Sequence, residues 1–418
     1  MRSGGILVAA LCSAQVLTML GVFAFPALLP TFMAEWRLSN TEAGWIAGIY
    51  FGAYALGVPV LVALTDRLDA RLIYIGGALL AAAASAGFAV FANGFGSAML
   101  LRALAGLALA GTYMPGLRML VDRYQGPQPS RAVALYTSSF SLGTAASFLF
   151  AGEIASVLGW KSAFAAAAVA AAAAAVIVLM LRPVRQVGPE PVTPQHSMPK
   201  TRGRLLDFRP VFANPPAMGY VLGYGVHCWE LFTLRSWMVA FLAFSLTLQP
   251  DAATAIAAPT TIAMVSGLVA TTASNAGNEL CMRYGRRRVI RLVMFVSAAF
   301  AAAFGFAAGL PYAAVAALAL VYSAIVQLDS AALTAGAVAV AEPGRQGATM
   351  AVHSLIGFGG GFVGPLVLGW TLDMTGGAMS AVSWGFAFAT VAVVGILGPL
   401  ALVLVPKDAP RNQPRARG

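Results

Sequence analysis

The sequence predicts an all-α membrane protein of twelve transmembrane helices in two pseudo-symmetric six-helix halves. Three observations carry that prediction. Of 418 residues, 59% belong to the AVILMFWYC set, and the 44 glycines raise the apolar share to about 70%, where a soluble domain holds about 45–50%. Only 10% are charged, and the mean hydropathy is +0.80. The apolar residues form long blocks rather than alternating, and a spanning helix needs about 20 of them in a row. This composition excludes a cytosolic enzyme, a disordered chain and a disulfide scaffold. Cys12, Cys228 and Cys281 sit in or beside apolar blocks without ligand-like spacing, as small hydrophobes do.

Twelve blocks lie between charged or Pro/Gly-rich breaks: residues 6–29, 42–64, 72–92, 98–121, 131–156, 161–181, 216–245, 253–276, 289–309, 312–335, 347–370 and 379–405. The first is too long for the core of a signal peptide and is expected to be a retained helix. Residues 182–215 are the longest hydrophilic stretch, rich in proline and basic residues (Pro183, Pro189, Pro191, Lys200, Arg202, Arg204), as an extended, solvated linker is. The expected organisation is therefore residues 1–181 as an N-terminal bundle, 182–215 as a cytoplasmic linker, 216–405 as a C-terminal bundle, and 406–418 as a basic cytoplasmic tail. The Ala165–Ala175 run in span six is read as close packing through small side chains.

An even number of spans puts both termini on one side. Placing them in the cytoplasm puts 21 of the 26 Lys and Arg residues inside, against Arg37 and Lys161 outside and Arg102, Arg118 and Arg235 within spans. That is the positive-inside bias, so the net charge of +11 reports topology in an inner (plasma) membrane. The basic residues are spread over short loops, which argues against nucleic-acid binding.

Six plus six spans suggest a repeat. An offset of 217 residues brings Gly143 onto Gly360, Ser147 onto Gly364, Gly152 onto Gly369 and Gly159 onto Gly376, which pairs spans five and eleven. A short basic loop also recurs, Asp66-Arg67-Leu68-Asp69-Ala70-Arg71 after span two and Arg283-Tyr284-Gly285-Arg286-Arg287-Arg288 after span eight.

On these residues the chain resembles the major facilitator superfamily along essentially its whole length. The first basic loop is similar to the family's G-x-x-x-D-R-x-G-R-R loop, with Val62 and Asp69 in place of its glycines. Arg102-x-x-x-Gly106 looks like its buried-arginine motif, and Gly360-x-x-x-Gly364-Pro365 like its glycine-proline helix motif, here in span eleven. Span five has Phe148 where the family's drug/proton antiporters carry proline. The resemblance implies a secondary transporter whose spans 1, 4, 7 and 10, with 2, 5, 8 and 11, line a central cavity. Gln15, Tyr50, Arg102, Tyr136, His227, Glu230 and Gln327 would then face one mid-membrane cleft.

The motifs also have a physical reading of their own. Asp66 ends a helix at the membrane surface, within reach of a helix N-terminus or of Arg123. With Arg67, Arg71 and Arg123 it forms either a latch made in one conformation and broken in the other or a solvated cluster that sets topology. Gly360, Gly364 and Gly369 lay small residues along one helix face, with Pro365 beside them.

An ionisable group at the bilayer centre costs at least about 2.5–3.5 kcal/mol, so it needs a partner, water or a purpose. Span seven holds His227, Glu230 and Arg235, and His227 and Glu230 are one turn apart on one face. They read as a proton-handling pair or as a static His–Glu or Glu–Arg pair. Asp329 in span ten is the second proton candidate, and His353 in span eleven a third. Gln15, Tyr50, Arg102, Tyr136, His227, Arg235 and Gln327 are the candidate substrate contacts.

No G-x-x-x-x-G-K-[ST] stretch supports ATP-driven pumping. No catalytic constellation, cofactor motif or metal-ligand spacing is present, so an enzyme is not expected. The leading expectation is a monomeric transporter that moves a small organic solute, preferably an anion, by alternating access powered by protons or a counter-substrate, in symport or antiport. The alternative is proton-coupled efflux of lipophilic or cationic compounds through Glu230 or Asp329.

Overall fold

A computed structural model describes residues 2–65, 67–124, 128–181, 208–250 and 256–406. Among them all regular structure is helical. In chain order the helices are α1 (Arg2–Met19), α2 (Ala24–Ala27), α3 (Leu29–Trp36), α4 (Asn40–Leu64), α5 (Ala70–Phe91), α6 (Phe95–Arg123), α7 (Pro129–Leu158), α8 (Trp160–Met180), α9 (Arg209–Phe212), α10 (Pro215–Thr247), α11 (Pro259–Tyr284), α12 (Arg286–Phe304), α13 (Tyr312–Gln327), α14 (Ser330–Ala339), α15 (Gln346–Thr375), α16 (Ala381–Gly395) and α17 (Leu397–Ala401). Each of the twelve expected spans falls largely on helical segments among the described residues.

Nine helical stretches among the described residues are long and apolar enough to cross a membrane. The other three expected spans depart from a plain apolar helix for visible reasons. α10 is 33 residues long but carries His227, Glu230 and Arg235, and α11 is rich in Ser, Thr and Asn. The first span is not one helix over 6–29. It breaks after Met19, and α2 and α3 continue it to Trp36. Gly21 lies in that break, and Pro26 and Pro30 beyond it lack the N–H that would continue an unbroken ladder. Span ten is likewise split, between α13 and α14.

Helix ends follow local chemistry. Asp69 caps α5 by accepting from the Arg71 backbone N–H at 2.9 Å, and Asn214 caps α10 by accepting from Ala217 N–H at 3.1 Å. Pro129, Pro215 and Pro259 occupy first-turn positions, where no N–H is needed. Gly159 and Gly376, which the offset pairs, close α7 and α15 with φ of 81° and 119°, a region that side chains with a Cβ rarely enter.

The chain forms two compact units. The first comprises residues 1–28 and 49–210, the second residues 29–48 and 211–418. In the first unit α7 packs on α1. At Gly143 an added Cβ would meet the Met19 side chain at 2.6 Å. In the second unit α15 packs on α10. Gly360 lies against the Gly225 carbonyl oxygen, and an added Cβ at Gly364 would come within 2.7 Å of the Trp229 carbonyl oxygen. The Trp237 indole N–H donates to the Pro365 carbonyl oxygen at 2.9 Å. The glycine-proline stretch is thus a close-approach surface between two helices.

Candidate functional site

In the first unit the site is built on the break in span one. Backbone that leaves a helix at membrane depth must find partners inside the protein. Ser147 on α7 supplies two, accepting from Phe23 N–H at 2.9 Å and donating to the Leu20 carbonyl oxygen at 2.7 Å. Arg102 on α6 supplies another. It is 2% exposed, and its Nη1 donates to the Val22 carbonyl oxygen at 2.9 Å. Its guanidinium carbon lies 4.3 Å from the Tyr50 ring centre and 5.9 Å from that of Phe25, close enough for cation–π attraction. One turn toward the start of α1, the Tyr136 hydroxyl lies 2.8 Å from Gln15 Oε1, sharing its proton between that atom and the Tyr113 carbonyl oxygen at 3.0 Å. Four predicted residues therefore meet in two pairs, Arg102 with Tyr50 and Gln15 with Tyr136.

A cavity of about 1070 Å³ opens between α1 and α7 in this unit, lined mostly by apolar residues, with Ser13, Gln128, Arg131, Ser138 and Ser139 among them.

In the second unit the site is built on the break in span ten. Gly277 of α11 lies directly against the Leu328 carbonyl oxygen, which a side chain there would displace. The break places Asp329 just before α14, buried, with its Oδ1 2.7 Å from His227 Nδ1 of α10. His353 of α15 joins this group through Tyr224. Their rings stack with centres 3.8 Å apart, and Tyr224 also lies 5.6 Å from the His227 ring. Three proton candidates from three different spans are gathered here.

Glu230 is held elsewhere, although it is one turn from His227. Its Oε1 accepts from Ser297 of α12 at 2.7 Å and from Tyr322 of α13 at 2.8 Å. The direct His227–Glu230 contact suggested by their spacing gives way to His227–Asp329, because the break carries Asp329 to the imidazole while two hydroxyls hold Glu230. Arg235 is buried on α10, with Cys228 and Tyr224 as electrostatic neighbours on the same helix. Gln327 ends α13, immediately before the break.

At the predicted latch, Asp66 lies outside the described residues. Arg123 pairs with Asp69 at 3.2 Å. Arg71 donates to the Val178 carbonyl oxygen at 3.2 Å and to that of Leu179, holding the end of α8 with a cation. Arg67 is exposed. Asp69 was readable as the acid immediately before an apolar block, a helix-start signature.

A second carboxylate cap also escaped the sequence reading. Asp373, near the end of α15, accepts from the first turn of α4: Asn40 N–H at 3.1 Å, Asn40 Nδ2 at 2.7 Å, Thr41 N–H at 2.8 Å and Thr41 Oγ1 at 2.5 Å. The Asn40-Thr41-Glu42 start is an N-cap signal, but its partner lies 333 residues away.

Comparison with known proteins agrees with this architecture. The Major Facilitator Superfamily profile matches residues 11–326. The niacin transporter NiaP of Acinetobacter baylyi is 27% identical over 144 residues, 34% of this chain and 32% of that protein. The putative niacin/nicotinamide transporter NiaP of Bacillus subtilis is 26% identical over 144 residues, 34% of this chain and 35% of that protein. The chain thus spans about a third of the length of these relatives. Two solved folds superpose over nearly the whole chain. One is a bacterial homologue of the human lysosomal transporter Spinster, inward-facing and unoccupied, with TM-score 0.72 and 15% identity, covering 95% of this chain and 94% of that one. The other is the nucleoside transporter NupG, with TM-score 0.72 and 16% identity, covering 95% and 99%.

Proposed function

Since this chain belongs to the major facilitator superfamily and is a multi-pass integral membrane protein, we propose that it is a secondary active transporter of a small organic solute. It works by alternating access, prefers an anion, and couples movement of the solute to protons. The observation that carries the coupling is the buried His227–Asp329 pair at 2.7 Å, on a span interrupted at that point. Transporters built from repeats bind substrate and coupling ions where spans are interrupted. A carboxylate and an imidazole in contact exchange a proton with little rearrangement. Arg102 and Arg235 favour an anionic cargo, with Gln15, Tyr50, Tyr136 and Gln327 as neutral contacts. The relatives named as niacin transporters point the same way, niacin being a small aromatic carboxylate.

The other reading is proton-coupled efflux of lipophilic or cationic compounds. The large, mostly apolar cavity between α1 and α7 favours it, with Glu230 or Asp329 as the acid that exchanges proton for cargo. Both readings place the protein in the inner membrane with cytoplasmic termini, working as a monomer.

The deciding experiment is a thermal-shift screen of the purified protein against organic acids including nicotinate, amino acids and cationic drugs, at several pH values. The anion reading predicts stabilisation by one or more carboxylates, weakened in Arg102→Gln or Arg235→Gln. Stabilisation by cations alone would replace it with the efflux reading.

A further inference from the structure

α10 places Tyr224 and His227 three residues apart, one turn on one face, and α15 brings His353 to the same ring. The Tyr224–His353 planes are 13° apart with centres at 3.8 Å, and the Tyr224–His227 planes are 18° apart at 5.6 Å. Gly357, one turn beyond His353, makes the stack possible, because an added Cβ there would strike the Tyr224 ring.

The two imidazoles are held differently. His227 Nδ1 lies 2.7 Å from Asp329 Oδ1, ion-pair distance without hydrogen-bond alignment. On the other side, the Thr334 hydroxyl donates to the Ser330 carbonyl oxygen at 3.2 Å. With that hydrogen on Ser330, the Thr334 oxygen accepts from His353 Nε2, also at 3.2 Å, in the Nε2–H tautomer; donation from Thr334 to Nε2 belongs to the other tautomer. His353 Nδ1 is buried and without a hydrogen-bond partner. In the Nε2–H tautomer it is the bare nitrogen, open to a proton. One tyrosine thus carries an imidazole with a carboxylate counter-charge and an imidazole without one.

We propose that Tyr224 is a positioning residue that joins His227 and His353 into one unit that holds a single proton at a time, on His227 beside Asp329 or on His353, each exchanging with water. The inference rests on reading the second unit as the proton-handling site. A single imidazolium gains cation–π attraction from the ring. Two would repel each other through a medium of low dielectric, so one charge excludes the other. The other ionisable groups on the elements packed against α10 and α15 are Tyr220, Cys228, Glu230 and Arg235 on α10, Asp373 on α15, Glu279, Cys281, Arg283 and Tyr284 on α11, Tyr312 and Tyr322 on α13, Asp329 before α14 and Glu35 on α3; α14, α16 and α17 contribute none. Of the carboxylates among them, Asp329 lies at His227, Glu230 is engaged by Ser297 and Tyr322, and Asp373 by Asn40 and Thr41.

The chain contains three histidines, His196, His227 and His353. Nitrogen NMR of the full-length, ¹⁵N-histidine-labelled protein in lipid nanodiscs, carrying His196→Gln, therefore reads the pair directly and without substrate. The expected result is His353 as the Nε2–H tautomer wherever His227 is charged. His227→Gln should raise the protonated fraction of His353 at fixed pH by about tenfold. Tyr224→Phe should preserve the wild-type pattern, and Tyr224→Leu should release the His353 tautomer and weaken the exclusion. Simultaneous protonation of both rings overturns the inference, and so does a His353 titration unmoved by His227→Gln. A His227 that stays neutral at every pH overturns the proton-handling reading itself, a different outcome from two charged but independent rings. Should Tyr224→Leu fail to fold, the wild-type tautomer and His227→Gln still decide.

Discussion

The first and tenth spans are both interrupted inside the membrane, and they resolve the same problem with opposite chemistry. At Leu20–Phe23 the freed backbone groups are taken up by Ser147 and by the Arg102 guanidinium, which also lies on Tyr50. At Leu328–Asp329 the chain presents a carboxylate to His227. In the first unit the charge holds backbone. In the second, two titratable side chains hold each other. A guanidinium on a carbonyl has no proton to exchange near neutral pH, whereas an imidazole–carboxylate pair does. This contrast is why the proposed proton coupling is put in the second unit, and rigid support with an anion contact in the first.

The largest effect is expected at the second break. Asp329→Ala leaves a buried partner unpaired and should cost about 3–5 kcal/mol in reversible unfolding in detergent. Adding His227→Leu should recover a substantial part of that loss, because deleting both members of a buried pair is often near neutral. Arg102 allows no such rescue, since its partner is a carbonyl that no substitution removes. Arg102→Leu should cost about 1.5–3 kcal/mol by the same measurement, and it should leave the pH dependence of transport intact. Gly277→Ala, which pushes on the Leu328 carbonyl, should cost about 1–3 kcal/mol. Gly143→Ala should cost less, because it meets the flexible Met19 side chain; a larger loss at Gly143 would reverse the contrast. Ser147→Ala is expected to be smallest, about 0.6–1.7 kcal/mol in a membrane setting.

Much of this was legible beforehand. Composition and block length give the all-helical membrane architecture, with which twelve spans are consistent, and the offset of 217 residues pairs Gly159 with Gly376, both of which adopt positive φ. Arg102, His227, Glu230, Asp329 and His353 stood out because charges are costly in an apolar block. What the sequence hid was pairing. Spacing along α10 suggested His227 with Glu230, but a one-dimensional pattern does not show that a break in span ten carries Asp329 across to the imidazole. Ser147 was visible only as the residue aligned with Gly364. A serine that mends a broken helix has no local signature, because the groups it binds lie more than 120 residues away. The contacts of Tyr224, Ser297 and Tyr322 have no local signature for the same reason.

The most direct test is proton movement accompanying solute uptake in proteoliposomes. It uses an entrapped pH dye and the solute that stabilises the protein most in the thermal-shift screen. Wild type and Arg102→Gln should move the same number of protons per solute, the variant more slowly, and Asp329→Asn should move solute, if at all, with no protons. Proton movement unchanged in Asp329→Asn but lost in Arg102→Gln would contradict the assignment of coupling to the second unit.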